Sequence, residues 1–193
     1  MQQNEEDNEN LYILKSSHLI LEESEDSGAL HLGDIIAAEN AIFLKNNNIS
    51  CIVSVAKTRL LLPKHLEIDI LSIPVDDSPI VNLKKHFQAC FKFLNEKRNA
   101  KKNVLVHCMA GVSRSSTIVI GYIMSIKEMG FEEAYQFVKQ RRSIVSPNGG
   151  FLRQLKEYEL EMKKVEEKSD KTNQRVKKLV EVKIPFIKQK KMK

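Results

Sequence analysis

The stretch VHCMAGVSRSS, residues 106–116, sets a cysteine at 108, an arginine at 114 and a serine at 115 around five uncharged residues, Met109, Ala110, Gly111, Val112 and Ser113. An apolar run ends at His107 and Cys108, and a helix-forming run starts at Arg114, so the intervening loop must turn sharply. Gly111 supplies backbone angles that other residues resist. A loop of this kind points successive N–H groups into its own concavity. Together with the positive end of the following helix, they form a site for a tetrahedral oxyanion. Arg114 adds a planar guanidinium able to grip two oxygens at once. The same field stabilises the thiolate form of Cys108, which is the nucleophilic form. Ser115 is placed to donate a hydrogen bond to the sulfur and ease its later departure. A carboxylate inside the loop would repel an incoming phosphate, and there is none. The plainer alternatives are a core cysteine in a tight strand-to-helix turn and, for His107, a histidine packed at the core edge.

Cleaving a phosphate ester also needs a proton for the departing oxygen. The stretch IPVDDSPIVNL, residues 73–83, offers two carboxyls, Asp76 and Asp77, at the carboxyl end of an apolar run. Read as local structure alone, DDSP is a turn whose aspartates bond to nearby backbone.

These groups need elements to position them. The apolar runs HLIL (18–21), ALHLG (29–33), SCIVSVA (50–56), IDILSIPV (68–75) and NVLVH (103–107) read as strands, the last three suited to burial on both faces. DIIAAENAIFLKNNN (34–48) carries a helical stripe closed by asparagines. Apolar residues at 83, 87, 90, 91 and 94 lie on one helix face. SSTIVIGYIMSIKEM (115–129) reads as a mostly buried helix, and FEEAYQFVKQRR (131–142) as an amphipathic one. Ser146 and Pro147 form an N-cap and first-turn pair for a last helix through Gln154 and Tyr158 toward Lys164. Alternating strands and helices imply an α/β fold with a central, mostly parallel twisted sheet flanked by helices. Ligands of such sheets sit beyond the carboxyl ends of the strands, where the loop after Val106 lies.

At 193 residues, with 42% hydrophobic and 29% charged residues, the chain is an ordinary soluble domain in composition. No apolar run reaches the roughly 18 residues of a membrane span. The acidic opening MQQNEEDNEN matches neither a signal nor a transit peptide. A cytoplasmic protein, with the nucleus as a second location, is the expectation. Three cysteines, Cys51, Cys90 and Cys108, match no zinc or disulfide framework and suit a reducing compartment. Cys51 opens its strand, about 13 Å from the edge that Cys108 closes, and Cys90 lies on an apolar helix face, so both read as core thiols.

The net charge of +6 hides a change of sign along the chain. Residues 171–193 hold nine Lys or Arg against Glu181, a balance of +8, which leaves −2 for the first 170. The body is therefore not a basic nucleic-acid-binding domain. The expected organisation is an acidic flexible N-terminus at 1–17, a catalytic domain at 18–165 and a basic, solvated tail at 166–193. The tail's basic residues followed by spaced aliphatics also resemble docking peptides for MAP kinases, and its lysines could attract anionic membranes at about 1 kcal/mol each. No lipidation signal supports the membrane, and nothing in the pattern specifies an oligomer.

VHCMAGVSRSS resembles the signature loop of the dual-specificity protein phosphatases, within the cysteine-based protein tyrosine phosphatase superfamily. The similarity runs from ALHLGD through NVLVH to SPNGGFLRQL, roughly residues 18–160. It implies a protein tyrosine phosphatase-like fold and a phosphocysteine mechanism that uses no metal or cofactor. It also implies that Cys108 is the nucleophile and that the backbone of residues 109–114 and the Arg114 side chain bind phosphate. Ser115 then assists breakdown of the intermediate, and His107 supports the nucleophile. In the family the acid follows the strand that ends at IP and precedes the helix near NL, which selects Asp77 over Asp76. Separately from the resemblance, Arg141 and Arg142 end a helix, where cations meet its dipole favourably, and Arg142 could also contact a second phosphate. The implied substrates are proteins phosphorylated on tyrosine and on serine or threonine, dephosphorylated with a bell-shaped pH dependence. The stretch before the domain is too short for the kinase-binding domain of the larger relatives, so the resemblance is to the small, atypical kind. Two rivals accompany this reading: a phosphoinositide or RNA 5′ phosphatase using the same loop, whose lipid-directed members tend to place lysines there, and a catalytically silent phosphoprotein-binding module.

Overall fold

The β-branched runs pair into one five-stranded sheet. The computed structural model describes residues 16–63 and 65–182, with side chains described as far as Lys168 except at Glu166. The strands are β1 (Ser17–Leu21), β2 (Leu30–Gly33), β3 (Ile49–Ser54), β4 (Asp69–Ser72) and β5 (Asn103–His107), in the order β1-β2-β5-β3-β4. Only β1 runs antiparallel to its neighbour, so the sheet is mostly parallel as expected. The helices are α1 (Ile35–Glu39), α2 (Ala41–Asn46), α3 (Phe87–Asn99), α4 (Arg114–Lys127), α5 (Phe131–Arg141) and α6 (Gly149–Val182), with a 3-10 turn at Lys84–His86.

Period-two alternation divides the strands between two cores. Val104 and Val106 of β5 join Cys51 and Val53 of β3 in the larger core under α3 to α6, whereas Leu105 and Ile52 face the smaller one under α1 and α2. Ile49 lies in the smaller core with Ile52 because a register shift between Ile49 and Cys51 breaks the alternation. Leu83, Phe87, Cys90, Phe91 and Leu94 are all buried, so the one-face pattern of that helix holds. Arg114 through Met124 are buried without interruption in α4.

Four expectations change. The helical stripe of residues 34–48 is two helices, because the Asn40 side chain accepts the Phe43 N–H at 2.7 Å and caps α2. β4 is the last strand of the sheet and is largely exposed, not buried on both faces; Ile70 is 44% exposed. The final helix is capped by Asn148, whose Oδ1 accepts the Gly150 and Phe151 N–H groups, rather than by Ser146. That helix also continues past Lys164 to Val182, since no glycine or proline occurs between Phe151 and Ile184 to stop it. It therefore takes in much of the stretch expected as a solvated tail. The N-terminal residues 1–15 and the end of the tail, 183–193, lie outside the described residues. Among the described residues no helix is long and apolar enough to cross a membrane.

The registers align Gly33 with His107, His107 with Ser54, and Ser54 with Ser72. The four parallel strands thus end in one row. The loops after β5 and β4, which carry Cys108 and Asp77, leave the same end of the sheet with β3 between them.

Candidate active site

A backbone cradle forms when every carbonyl of a loop is drawn to its outside, because a trans peptide holds N–H and C=O on opposite sides. Here each carbonyl from residue 108 to 113 has an external donor. The Cys108 carbonyl meets His107 Nδ1 at 3.1 Å, and the Met109 carbonyl accepts the Ile35 N–H at the start of α1 at 3.2 Å. The Ala110 and Gly111 carbonyls accept from Nη2 and Nε of Arg142 at 3.4 and 3.0 Å. The Val112 carbonyl accepts from the Ser146 N–H and the Ser116 hydroxyl, and the Ser113 carbonyl from the Ser116 and Thr117 hydroxyls. The N–H groups of residues 109–114 face the other way, and among the described residues none donates to a protein acceptor.

Gly111 sits at φ +66°, and a Cβ there would come within 2.6 Å of both the Gly33 carbonyl oxygen and Arg142 Nη2. The turn therefore needs glycine for its angle and for its space. Met109 and Ala110 form the exposed rim, and the rest of the loop is buried or half-buried.

Cys108 directly follows β5 and is 1% exposed, with its sulfur 3.1 Å from the Ser115 hydroxyl, which donates to it. Arg114 opens α4. Its Nη1 donates to the Val75 carbonyl at 3.1 Å, fixing the guanidinium plane; the buried Nε has no hydrogen-bond partner among the described residues. That edge remains available for a two-oxygen grip on an anion. His107 is fully buried and burial pushes its pKa down to about 4, so the ring is neutral. Its Nδ1 faces a carbonyl that can only accept, which assigns the proton to Nδ1. The histidine thus turns the Cys108 carbonyl outward.

The two aspartates separate. Asp77 Oδ1 accepts the Ser113 hydroxyl at 2.7 Å and Asn148 Nδ2 at 2.8 Å, and its Oδ2 lies 3.8 Å from Arg114 Nε. Asp76 points to solvent and pairs with Lys57 at 2.5 Å. Of the two carboxyls, Asp77 is the one brought to the cradle.

Several contacts at the site were not read from the sequence. Asn148 was invisible as a site residue because its role depends on contact with a loop 71 positions away. Gln154 accepts the Leu83 and Lys84 N–H groups and donates to the Val81 carbonyl, pinning the far end of the Asp77 loop to α6. Gly150 lets that loop lie against the helix, since a Cβ there would come within 2.0 Å of the Pro79 carbonyl oxygen.

Arg141 and Arg142 do end a helix, Arg141 as the last residue of α5 and Arg142 as its C-cap, but the second-phosphate contact for Arg142 is not found. Arg142 is 1% exposed and lies beneath the cradle, where its Nη1 also meets His18 Nδ1 at 2.7 Å, so it is not placed to meet a second phosphate. Burial, followed by the neighbouring Arg142 charge, pulls the His18 pKa down. Neutral His18 is then the acceptor, because a guanidinium only donates. Cys51 and Cys90 are buried core thiols, as expected; burial raises both, Cys90 to about 12.

A family model described as dual specificity phosphatase, catalytic domain, matches residues 30–161. Human dual specificity protein phosphatase 22 is 42% identical over 130 residues, covering 67% of this chain and 70% of that protein. Mouse dual specificity protein phosphatase 15 is 41% identical over 129 residues, covering 67% and 54%. Rat dual specificity protein phosphatase 5 is 42% identical over 134 residues, covering 69% and 34%. The matched part of this chain thus spans only about a third of the rat relative and about half of the mouse one. Among solved structures, DUSP15 superposes with a TM-score of 0.65 at 38% identity, covering 70% of this chain and 86% of that one. The human tyrosine phosphatase-like serine/threonine/tyrosine-interacting protein superposes with a TM-score of 0.67 at 29% identity, covering 76% and 97%. The matched segment contains the whole cradle, both aspartates and the residues that hold them, and on that match the chain belongs to the dual specificity phosphatase family.

Proposed function

We propose that this chain hydrolyses phosphate monoesters on proteins, at phosphotyrosine and at phosphoserine or phosphothreonine, through a phosphocysteine. The observation that carries this reading is the sulfur of Cys108 under the Ser115 hydroxyl, within a loop whose carbonyls all face outward. In the first step the Cys108 thiolate attacks phosphorus and the ester P–O bond breaks. Asp77, protonated, gives its proton from Oδ2 to the leaving oxygen. The N–H groups of 109–114 and the Arg114 guanidinium hold the three remaining phosphate oxygens, whose charge spreads in the transition state. In the second step Asp77, now ionised, takes a proton from a water that attacks the phosphocysteine. The S–P bond breaks, and the thiolate leaves under the hydrogen bond from Ser115.

Both hydrogen bonds to Asp77 fall on Oδ1, which keeps Oδ2 for the proton. The relatives' names as dual specificity protein phosphatases support the substrate class. The location we propose is the cytoplasm, with access to the nucleus, and a MAP kinase is the partner suggested by the tail.

The test is turnover of 4-nitrophenyl phosphate and of paired phosphotyrosine and phosphothreonine peptides. Cys108→Ser is expected to lose all turnover while still binding the phosphopeptides, and to capture phosphoproteins from cells. Turnover that survives Cys108→Ser overturns the mechanism. Hydrolysis confined to phosphoinositides or RNA 5′ ends overturns the substrate class.

A further inference from the structure

The chain leaving β3 closes a second hollow beside the cradle. A groove of about 400 Å³ is lined by Ser54, Lys57, Thr58, Arg59, Ile70 and Ser72, with two leucines beyond them. Ser54 is its most telling residue. It ends β3, is 2% exposed, and its hydroxyl has no hydrogen-bond partner among the described residues. A buried hydroxyl left in that state costs about 1–3 kcal/mol, which a bound acceptor would recover.

The groove adjoins the reaction centre on two counts. Ser54 is register-paired with His107, so its floor lies one strand spacing, about 4.8 Å, from the residue before the nucleophile. Its wall reaches the residue after the nucleophile, with the Thr58 hydroxyl 3.5 Å from the Met109 sulfur.

The lining has one sign of charge. Lys57 and Arg59 supply cations, the Ser54 and Ser72 hydroxyls supply donors, and no carboxylate is among the lining residues. Lys57 is paired with Asp76 outside the groove, but both partners are about 60% exposed, and such a pair holds weakly. Arg59 has no ion pair among the described residues. Ile70 and the leucines give one flank that suits a short apolar stem. This is the chemistry of a side chain with an aliphatic stem and an anionic head.

We propose that this groove binds an anionic side chain of the substrate, either a carboxylate or a second phosphate, one to three residues from the phosphoresidue being hydrolysed. The reach follows from about 3.3 Å per extended residue. The proposal rests on the protein phosphatase reading and adds a substrate preference to it.

The experiment uses phosphotyrosine peptides that carry alanine, glutamate or phosphoserine at each position from three before to three after the phosphotyrosine. At one position, glutamate or phosphoserine is expected to raise kcat/KM about 10-fold over alanine, mainly through KM. Arg59→Glu should cut that advantage to less than 2-fold while leaving 4-nitrophenyl phosphate turnover unchanged. A response to glutamate and to phosphoserine identifies a general anion site; a response to one alone names the source. Equal rates for all three peptides at every position overturn the proposal, as does a preference that survives Arg59→Glu. If no phosphate ester is turned over, the catalytic reading fails, and peptide affinities of the Cys108→Ser protein still measure the groove's preference in the same way.

Discussion

Asn148 serves two partners with one amide. Its Oδ1 must face the Gly150 and Phe151 N–H groups to cap α6, which leaves Nδ2 aimed at Asp77. The Ser113 hydroxyl completes the arrangement by donating to Asp77 and accepting the Asn148 N–H at 3.1 Å. Asn148 is thus a positioning residue for the proposed acid. Asn148→Asp keeps the cap but sets a second carboxylate against Asp77; Asn148→Ala removes the cap, at about 1 kcal/mol. Both variants are expected to lower kcat on a phosphoserine peptide about 10-fold with little change in KM. Because 4-nitrophenolate leaves with less help from a proton, the fall on 4-nitrophenyl phosphate should be smaller. Asn148→Ala should lower the melting temperature through loss of the cap, and Asn148→Asp through repulsion of Asp77, the second loss alone shrinking as salt is added. A wild-type kcat in Asn148→Asp on the phosphoserine peptide would show that the contact positions nothing.

At the scale of elements, the cradle and the Asp77 loop meet through Ser113 and Arg114, but a different glycine shapes each, and those two glycines allow them to be tested apart. Gly111→Ala meets the Gly33 carbonyl and also strains a left-handed angle, about 1–2 kcal/mol for the angle alone. It should weaken competitive inhibition by inorganic phosphate at least 10-fold and reduce turnover of every substrate. Gly150→Ala meets the Pro79 carbonyl and shifts the Asp77 loop off α6 without touching the cradle. It should leave phosphate inhibition near wild type while depressing kcat most for poor leaving groups. If the two variants have the same inhibition profile, the loop and cradle are not independent. The strand edge is common to both: Gly33, His107, Ser54 and Ser72 stand in one row, so each following loop starts at the same height.

At the scale of the whole molecule, two buried histidines tie stability to pH. Burial pushes His31 and His107 down to about 4, against about 6.5 for an exposed imidazole. Between those values the unfolded chain binds protons that the folded chain refuses, so stability rises with pH there. The contribution is complete above about 6.5, falls away as pH drops toward 4, and is on the order of 3 kcal/mol for each histidine. Urea melts from pH 7.5 to 4.5 should show this loss, and His31→Phe should flatten the slope. A melting midpoint independent of pH across that range would contradict the neutral assignment of both rings.

Near neighbours along the chain are enough to set the reactive unit. The turn of MAGVS, the helix that follows it and the strand that precedes it are set by Gly111, by the apolar run through α4 and by NVLVH. The placement of Cys108, Arg114 and Ser115 around one hollow therefore follows from residues within a single strand–loop–helix unit. Features that depend on distant segments meeting were set by packing. Asp77 comes to the cradle, and Asp76 does not, because Ser113 and Asn148 offer donors to one of two adjacent carboxyls. Arg142 lies beneath the loop rather than at its mouth because the chain turns out of α5 there and buries the guanidinium against the Ala110 and Gly111 carbonyls. β4 is exposed because strand order, which local periodicity does not encode, leaves it at the sheet's edge. Periodicity records which face of an element is apolar; which distant donors satisfy a buried polar group is settled when the elements pack.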